Sequence, residues 1–202
     1  APPLPISPLI CYNQTMKDLK IIAIVGMSGA GKSVAVDYIT RRGVPKVHFG
    51  NMIYREMEKR GIPITPDSQR EFREMIRATE GQDWVVRQAI AEISDLIAAG
   101  QKRIVLDGLY SWTEYRALKH DFPGDELTVV AVVAPRALRY ARVARRPERP
   151  FNAQEIRERD YSEIEKMEKG APIAMADYYV LNDQDVPHLE TQLKTILQAI
   201  SF

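Results

Sequence analysis

Residues 19–25 (LKIIAIV) form a short, unbroken apolar run rich in β-branched side chains, and a glycine ends it. An apolar run without polar alternation predicts a strand buried on both faces, as in a parallel sheet. Residues 103–106 (RIVL) and 127–134 (LTVVAVVA) repeat the pattern, and residues 44–49 and 176–181 are shorter strand candidates. Between these runs the apolar positions change to helical spacing. Val34, Val36, Tyr38 and Ile39 predict a helix that stops at Arg42-Gly43. Val85, Ala89, Ile93 and Leu96/Ile97 predict a second helix over 84–99, and Leu189, Leu193, Ile196, Leu197 and Ile200 predict a closing helix over 188–200. The charged stretches 51–60, 67–79 and 152–169 are also predicted helical, the first two closed by Gly61 and Gly81.

Strands alternating with helices predict an α/β fold of three layers, a parallel sheet covered by helices on both faces. Two polar inserts, about 50–82 and about 136–170, are expected at strand ends, where such folds place their substrates. The length, 202 residues, suits one domain over residues 19–202. Residues 1–18 are expected to be a disordered tail or a leader. Their first 15 residues hold Pro2, Pro3, Pro5 and Pro8 and no Lys or Arg, unlike a signal peptide, and Met16 is then a candidate start.

Composition removes several functions. A net charge of +1 gives no reason to expect a nucleic-acid partner, so any basic role must come from local clusters. The single cysteine, Cys11, excludes a disulfide or multi-cysteine metal site within the chain and agrees with a reducing cytoplasm. No apolar run reaches the roughly 18 residues that a spanning helix needs. His48, His120 and His188 are dispersed, without metal-ligand spacing.

The most specific motif is Gly26-Met27-Ser28-Gly29-Ala30-Gly31-Lys32-Ser33, which fits G-x-x-x-x-G-K-[ST] between a predicted strand and a predicted helix. The glycines let the chain fold back so that successive amides point inward as a nest for phosphate oxygens. The helix that begins there, through Val34, aims its positive end at the same place. Lys32 sets an ammonium against the β- and γ-phosphates of ATP or GTP, and the Ser33 hydroxyl suits Mg²⁺. Asp107 ends an apolar strand, where a carboxylate can hold the metal through water or accept a proton; its bland alternative is an ordinary Asp-Gly turn. Arg136, Arg139, Arg142, Arg145, Arg146, Arg149, Arg157 and Arg159 follow the strongest strand. Arg139, Arg142 and Arg146 share roughly one helical face, and a cationic segment there could close over a triphosphate. Glu148, Glu155, Glu158 and Asp160 are interleaved, so a solvated charged helix is the competing reading for any one arginine.

In this order the motifs resemble those of the small-molecule P-loop kinases, specifically the adenylate-kinase and dephospho-CoA-kinase group. The resemblance runs from about residue 20 to 200. It is closest to a mostly archaeal branch described as adenylate-kinase-related or dephospho-CoA-kinase-like. Beyond the loop it rests on Arg60-Gly61-Ile62 with Thr65-Pro66, on Arg159-Asp160, and on Ala176-Asp177-Tyr178 with Asn182. It implies an acceptor site after the second strand, where the usual pattern is glycine, aspartate, any residue, isoleucine or leucine, arginine. This chain has Gly50-Asn51-Met52-Ile53-Tyr54-Arg55, so the acid is replaced by Asn51 and the arginine is absent or displaced by one. Arg70, Arg73, Arg77 and Arg87 are the nearby substitutes. Tyr178 and Asn182 are conceivable adenine-side contacts, and Tyr110-Ser111-Trp112 could line the acceptor pocket.

The expectation is therefore a cytoplasmic ATP- and Mg²⁺-dependent phosphotransferase acting on a small-molecule acceptor, with Lys32, Asp107, Arg142 and Arg146 catalytic. A nucleoside monophosphate is the leading acceptor and dephospho-CoA the alternative. A regulatory nucleotide-hydrolysing module is the reading from another class. A water-orienting glutamine or second acid beside Asp107 would mark it, and Gly108 and Leu109 stand there instead.

Overall fold

A computed structural model describes residues 18–147 and 150–202, with the backbone alone for Pro66, Asp67 and Arg70. The expected N-terminal tail, Cys11, Glu148 and Arg149 lie outside the described residues. Among the described residues there are five strands: β1 (Lys20–Val25), β2 (Lys46–His48), β3 (Arg103–Asp107), β4 (Leu127–Val133) and β5 (Tyr178–Leu181). They form one sheet in the order β2-β3-β1-β4-β5, and every pairing is parallel. The helices are α1 (Lys32–Thr40), α2 (Phe49–Lys59), α3 (Pro66–Glu80), α4 (Trp84–Ala98), α5 (Trp112–Asp121), α6 (Arg136–Ala144), α7 (Ala153–Glu165), α8 (Gly170–Ala174) and α9 (Val186–Ala199).

The continuous apolar strands are explained by a core on each face of the sheet. Ile21, Ala23 and Val25 of β1 point to one side, where they pack with Phe49, Met52 and Met57 of α2, Phe72 and Ile76 of α3, and Ile93 of α4. Ile22 and Ile24 point to the other, against Ala35, Val36 and Ile39 of α1 and Leu189, Leu193 and Leu197 of α9. A strand that alternated polar and apolar residues would leave one of these faces unfilled. Each fully buried large aliphatic side chain contributes about 1.5–3 kcal/mol, so the sheet is a rigid platform for what its ends carry.

Register decides what those ends carry. Ile24 of β1 lies opposite Asp107 of β3, and His48 of β2 lies opposite Asp107 on the other side. The ends of three neighbouring strands therefore meet where Gly26 leaves β1. The inserts α2–α4 and α6–α8 follow β2 and β4 at this same end of the sheet.

Several boundaries differ from expectation. The second strand is shorter because Phe49 already starts α2, with His48 as its cap: His48 Nδ1 accepts the Asn51 amide at 3.0 Å. Helix α5 is absent from the periodicity reading because it buries only Glu114, Tyr115 and Leu118. Its start is marked instead by a capping box, Ser111 with Glu114. The arginine segment resolves into α6, and the long charged helix ends at Glu165, before the short α8. Among the described residues, no helix is long and apolar enough to cross a membrane.

Candidate active site

The loop between β1 and α1 holds Gly26, Gly29 and Gly31 at φ of 147°, 79° and 103°. Positive φ is open to glycine without penalty and strains other residues. A side chain would also collide here. A Cβ on Gly29 would lie 2.7 Å from the Arg139 carbonyl oxygen, and one on Gly31 would lie 2.1 Å from Asn182 Nδ2. The loop is thus shaped from outside as well as by its own glycines. Asn182 Nδ2 donates to the Ala30 carbonyl at 2.8 Å. Arg142 in turn donates to the Asn182 carbonyl at 3.0 Å and to its Oδ1 at 3.4 Å. Arg139 is buried, forms a two-pronged pair with Asp160 at 2.9 and 2.7 Å, and donates to the Ser28 carbonyl at 2.9 Å.

Lys32 begins α1 and donates to the Met27 carbonyl at 3.2 Å, folded back along its own loop. Burial, with the charge of Lys169 next in weight, pulls its pKa down to about 7, against the opposing influence of Glu163 and Asp107. Arg146 adds to the lowering, so its charge is felt at the loop although its side chain is exposed. Ser33 is exposed on the first turn of α1, and Val34 packs against the core beneath it. The first-turn amides of α1 carry no intrahelical partner, which leaves them available to an anion. Asp107 is partly buried, and its Oδ2 is 3.6 Å from His48 Nε2. Because His48 Nδ1 accepts a backbone amide, the ring proton sits on Nε2, facing the carboxylate.

Two charged residues that the sequence reading passed over lie at the centre. Glu163 of α7 and Lys169, just before α8, are 3% and 2% exposed and pair at 3.0 Å. Glu163 Oε2 also accepts the Ser28 amide at 3.1 Å, and Arg159 Nε donates to Ser28 Oγ at 3.0 Å and Glu163 Oε1 at 3.3 Å. Burial alone would raise the Glu163 pKa, but Lys169, Arg159 and Lys32 hold it below the usual carboxylate range. Its signal in the sequence is the spacing Ile156, Asp160, Glu163, which places two acids on the inward stripe of α7.

On α3, burial lowers the Arg73 pKa, and Tyr54, Arg77 and Arg159 all act on its charge. Arg87 is engaged elsewhere, with Asp83 at 2.8 Å and the Glu80 carbonyl at 2.8 Å, and Arg55 pairs with Glu92. The Arg70 side chain lies outside the described residues. Glu114 is buried and accepts the amides of Tyr110 at 2.6 Å and Ser111 at 3.1 Å. Burial raises its pKa to about 7 even so. Tyr110 lies beside Asp107, its hydroxyl held protonated by burial and by surrounding carboxylates, with the Lys169 ammonium 5.0 Å from its ring centre.

A parallel five-stranded sheet with this order, and this loop at the end of its central strand, is a P-loop kinase-like fold. Residues 22–168 match the AAA domain family. The UPF0200 protein of Thermococcus onnurineus (strain NA1) is 33% identical over 182 residues, covering 89% of this chain and 97% of that one. The chain belongs to the UPF0200 family and carries an AAA domain. Its fold is shared with shikimate kinase from Bacteroides thetaiotaomicron, at TM-score 0.57 and 12% identity over 91% of this chain and 99% of the other. It is shared too with dephospho-CoA kinase from Campylobacter jejuni, at TM-score 0.53 and 11% identity over 91% and 98%.

Proposed function

We propose that this protein is a phosphotransferase that moves the γ-phosphoryl group of ATP, or GTP, to a nucleotide or nucleotide-like small molecule. The observation that carries this reading is the meeting of three parts at one end of the sheet. These are the loop with Lys32, the Asp107 carboxylate that acts on its charge, and Arg159 of α7, which donates to Ser28 Oγ and whose charge is felt by Arg73 of α3. A hydrolase that acts on water has no need of arginines on the acceptor side. The fold neighbours named above support the class, since both act on small molecules by name.

In this reading the loop amides and Lys32 hold the donor phosphates, and Arg159 with Arg146 offsets charge that builds on the transferring group. Arg73 and Arg77 orient an anionic acceptor so that its oxygen lies in line. Arg142 enters as a positioning residue, because it acts on the loop through Asn182. Asp107 receives the acceptor proton or organises the metal, with His48 fixing its direction. The Ser33 hydroxyl and the Asp107 carboxylate are oxygen donors of the kind that would hold Mg²⁺. Bound there, the metal would supply charge neutralisation to the donor phosphates. Gly108 and Leu109 follow Asp107, where a hydrolase would keep a residue to orient water.

The test is ATP consumption with Mg²⁺ across AMP, CMP, UMP, GMP, dephospho-CoA and nucleosides. A strong increase with one acceptor is the expected result and names the substrate. Slow consumption that no acceptor accelerates would replace this reading with that of a regulatory hydrolase.

A further inference from the structure

The Ser28 amide belongs to the glycine-rich loop, and a carboxylate from a helix 135 residues away already sits on it. Glu163 Oε2 bridges that amide and the Lys169 ammonium, while Oε1 takes Arg159. Backbone nests of this kind are built for anions. We propose that Glu163 is a resident anion standing in for a phosphate of the nucleotide, and that an arriving phosphate displaces it and takes over Lys169 and Arg159 as ligands. The proposal rests on the reading that this loop binds nucleotide phosphates.

Three features favour it over a purely structural ion pair. First, a buried pair contributes little net stability, because desolvating two charges offsets most of their attraction. A pair lodged against a phosphate loop therefore needs another reason to be there. Second, the charges are those of a phosphate site in waiting. Lys32, Lys169 and Arg159 all act on Glu163, and they are the types of group that hold phosphoryl oxygens. Third, α7 can release Glu163 without letting go of the loop. Asp160, one turn earlier, stays clamped by Arg139, which also holds the Ser28 carbonyl. Only the last turn of α7 and the segment leading to Lys169 need to shift. The apparent affinity of the loop for phosphate is then divided by the fraction of molecules in which Glu163 is withdrawn.

The experiment is calorimetric titration of ATP into the wild-type chain, Glu163→Gln and Glu163→Gln/Lys169→Met, with circular dichroism melts to establish folding. Glu163→Gln keeps shape and removes the competing charge, so ATP should bind it about tenfold more tightly or better. The double variant should give that gain back, because the phosphate loses Lys169. If Glu163→Gln does not fold, Glu163→Asp serves: it leaves a charge near Lys169 but withdraws it from Ser28, and a gain of about threefold is expected. Folded single variants that bind ATP with unchanged or weaker affinity would overturn the proposal while leaving nucleotide binding intact. A double variant as tight as Glu163→Gln would overturn the role of Lys169. If neither wild type nor variants bind ATP, the nucleotide reading itself fails, and this one with it.

Discussion

Asn182 fills the space that a side chain on Gly31 would need, and from there its amide holds the Ala30 carbonyl. The end of β5 and the phosphate loop are thereby fitted to each other. The fit is tight, since Nδ2 would be 2.1 Å from an added Cβ. Asn182→Ala leaves the Ala30 carbonyl without its donor and removes one partner of Arg142. It should cost about 1–3 kcal/mol of stability, read as a shift in the urea midpoint. Gly31→Ala should be worse for function, because both the φ of 103° and Asn182 oppose it. ATP binding by calorimetry should be lost in that variant, and retained affinity would contradict the account of the loop.

Lys32 carries a pH prediction. With its pKa near 7 in the free protein, the ammonium is charged below that pH and increasingly neutral above it. Phosphate favours the charged form, so binding above pH 7 must take up a proton. Affinity should fall as pH rises beyond 7, by at most about tenfold per unit. Titrations at pH 8 in buffers of different ionisation enthalpy will give the proton number, expected to approach one. Identical observed enthalpies in all buffers would rule this out.

Glu114 links stability to pH, its pKa shifted in the direction opposite to that of Lys32. Its folded pKa, about 7, lies above the ordinary carboxylate value, so between those two values the folded chain binds more protons than the unfolded chain. Stability should therefore decline from about pH 4.5 to 7 through this group and level off above. Glu114→Gln keeps an acceptor for the Tyr110 and Ser111 amides and removes the charge. At pH 8 it should be more stable than wild type by about 1–3 kcal/mol, with the gain vanishing near pH 4.5. Equal stability at both pH values would show that the carboxylate is not held out of water.

Arg139 and Asp160 form a buried two-pronged pair at the junction of α6, α7 and the loop. Arg139→Ala leaves Asp160 as an uncompensated buried charge and should destabilise the chain by about 3–5 kcal/mol. The double replacement Arg139→Met/Asp160→Leu should recover much of that loss in a denaturant melt. A single variant as stable as wild type would mean that the pair does not hold α7 against α6 and the loop.

The sheet and the loop were legible because their signals are local. Continuous apolar runs can be satisfied only by cores on two faces, and the glycine spacing at 26, 29 and 31 has one common use beside a lysine. The interior of the α6–α8 insert was not legible, for a physical reason. Helix α7 buries Asp160 and Glu163 along with Ile156, so its inward stripe is mostly charged and hydrophobic periodicity does not find it. Lys169 is hidden in the same way, its burial made possible by a partner on another helix turn. Asn182 looked like a base-side contact from its place after a strand; its partners are Ala30 and Arg142. Helix α5 was obscured because it buries one acid among few apolar residues, although Ser111 and Glu114 announce it as a capping box. Which charges are buried together is what a single sequence does not display.

In the proposed reaction, phosphoryl transfer depends on Lys32. The most direct measurement follows γ-labelled phosphate from ATP into acceptor, comparing wild type with Lys32→Ala under Mg²⁺ at equal folded concentration. Loss of one oriented charge from the transition state predicts a fall in turnover of at least about a hundredfold, with label on the acceptor in the wild-type reaction. Label released only as free phosphate, or near-wild-type transfer by Lys32→Ala, would contradict it.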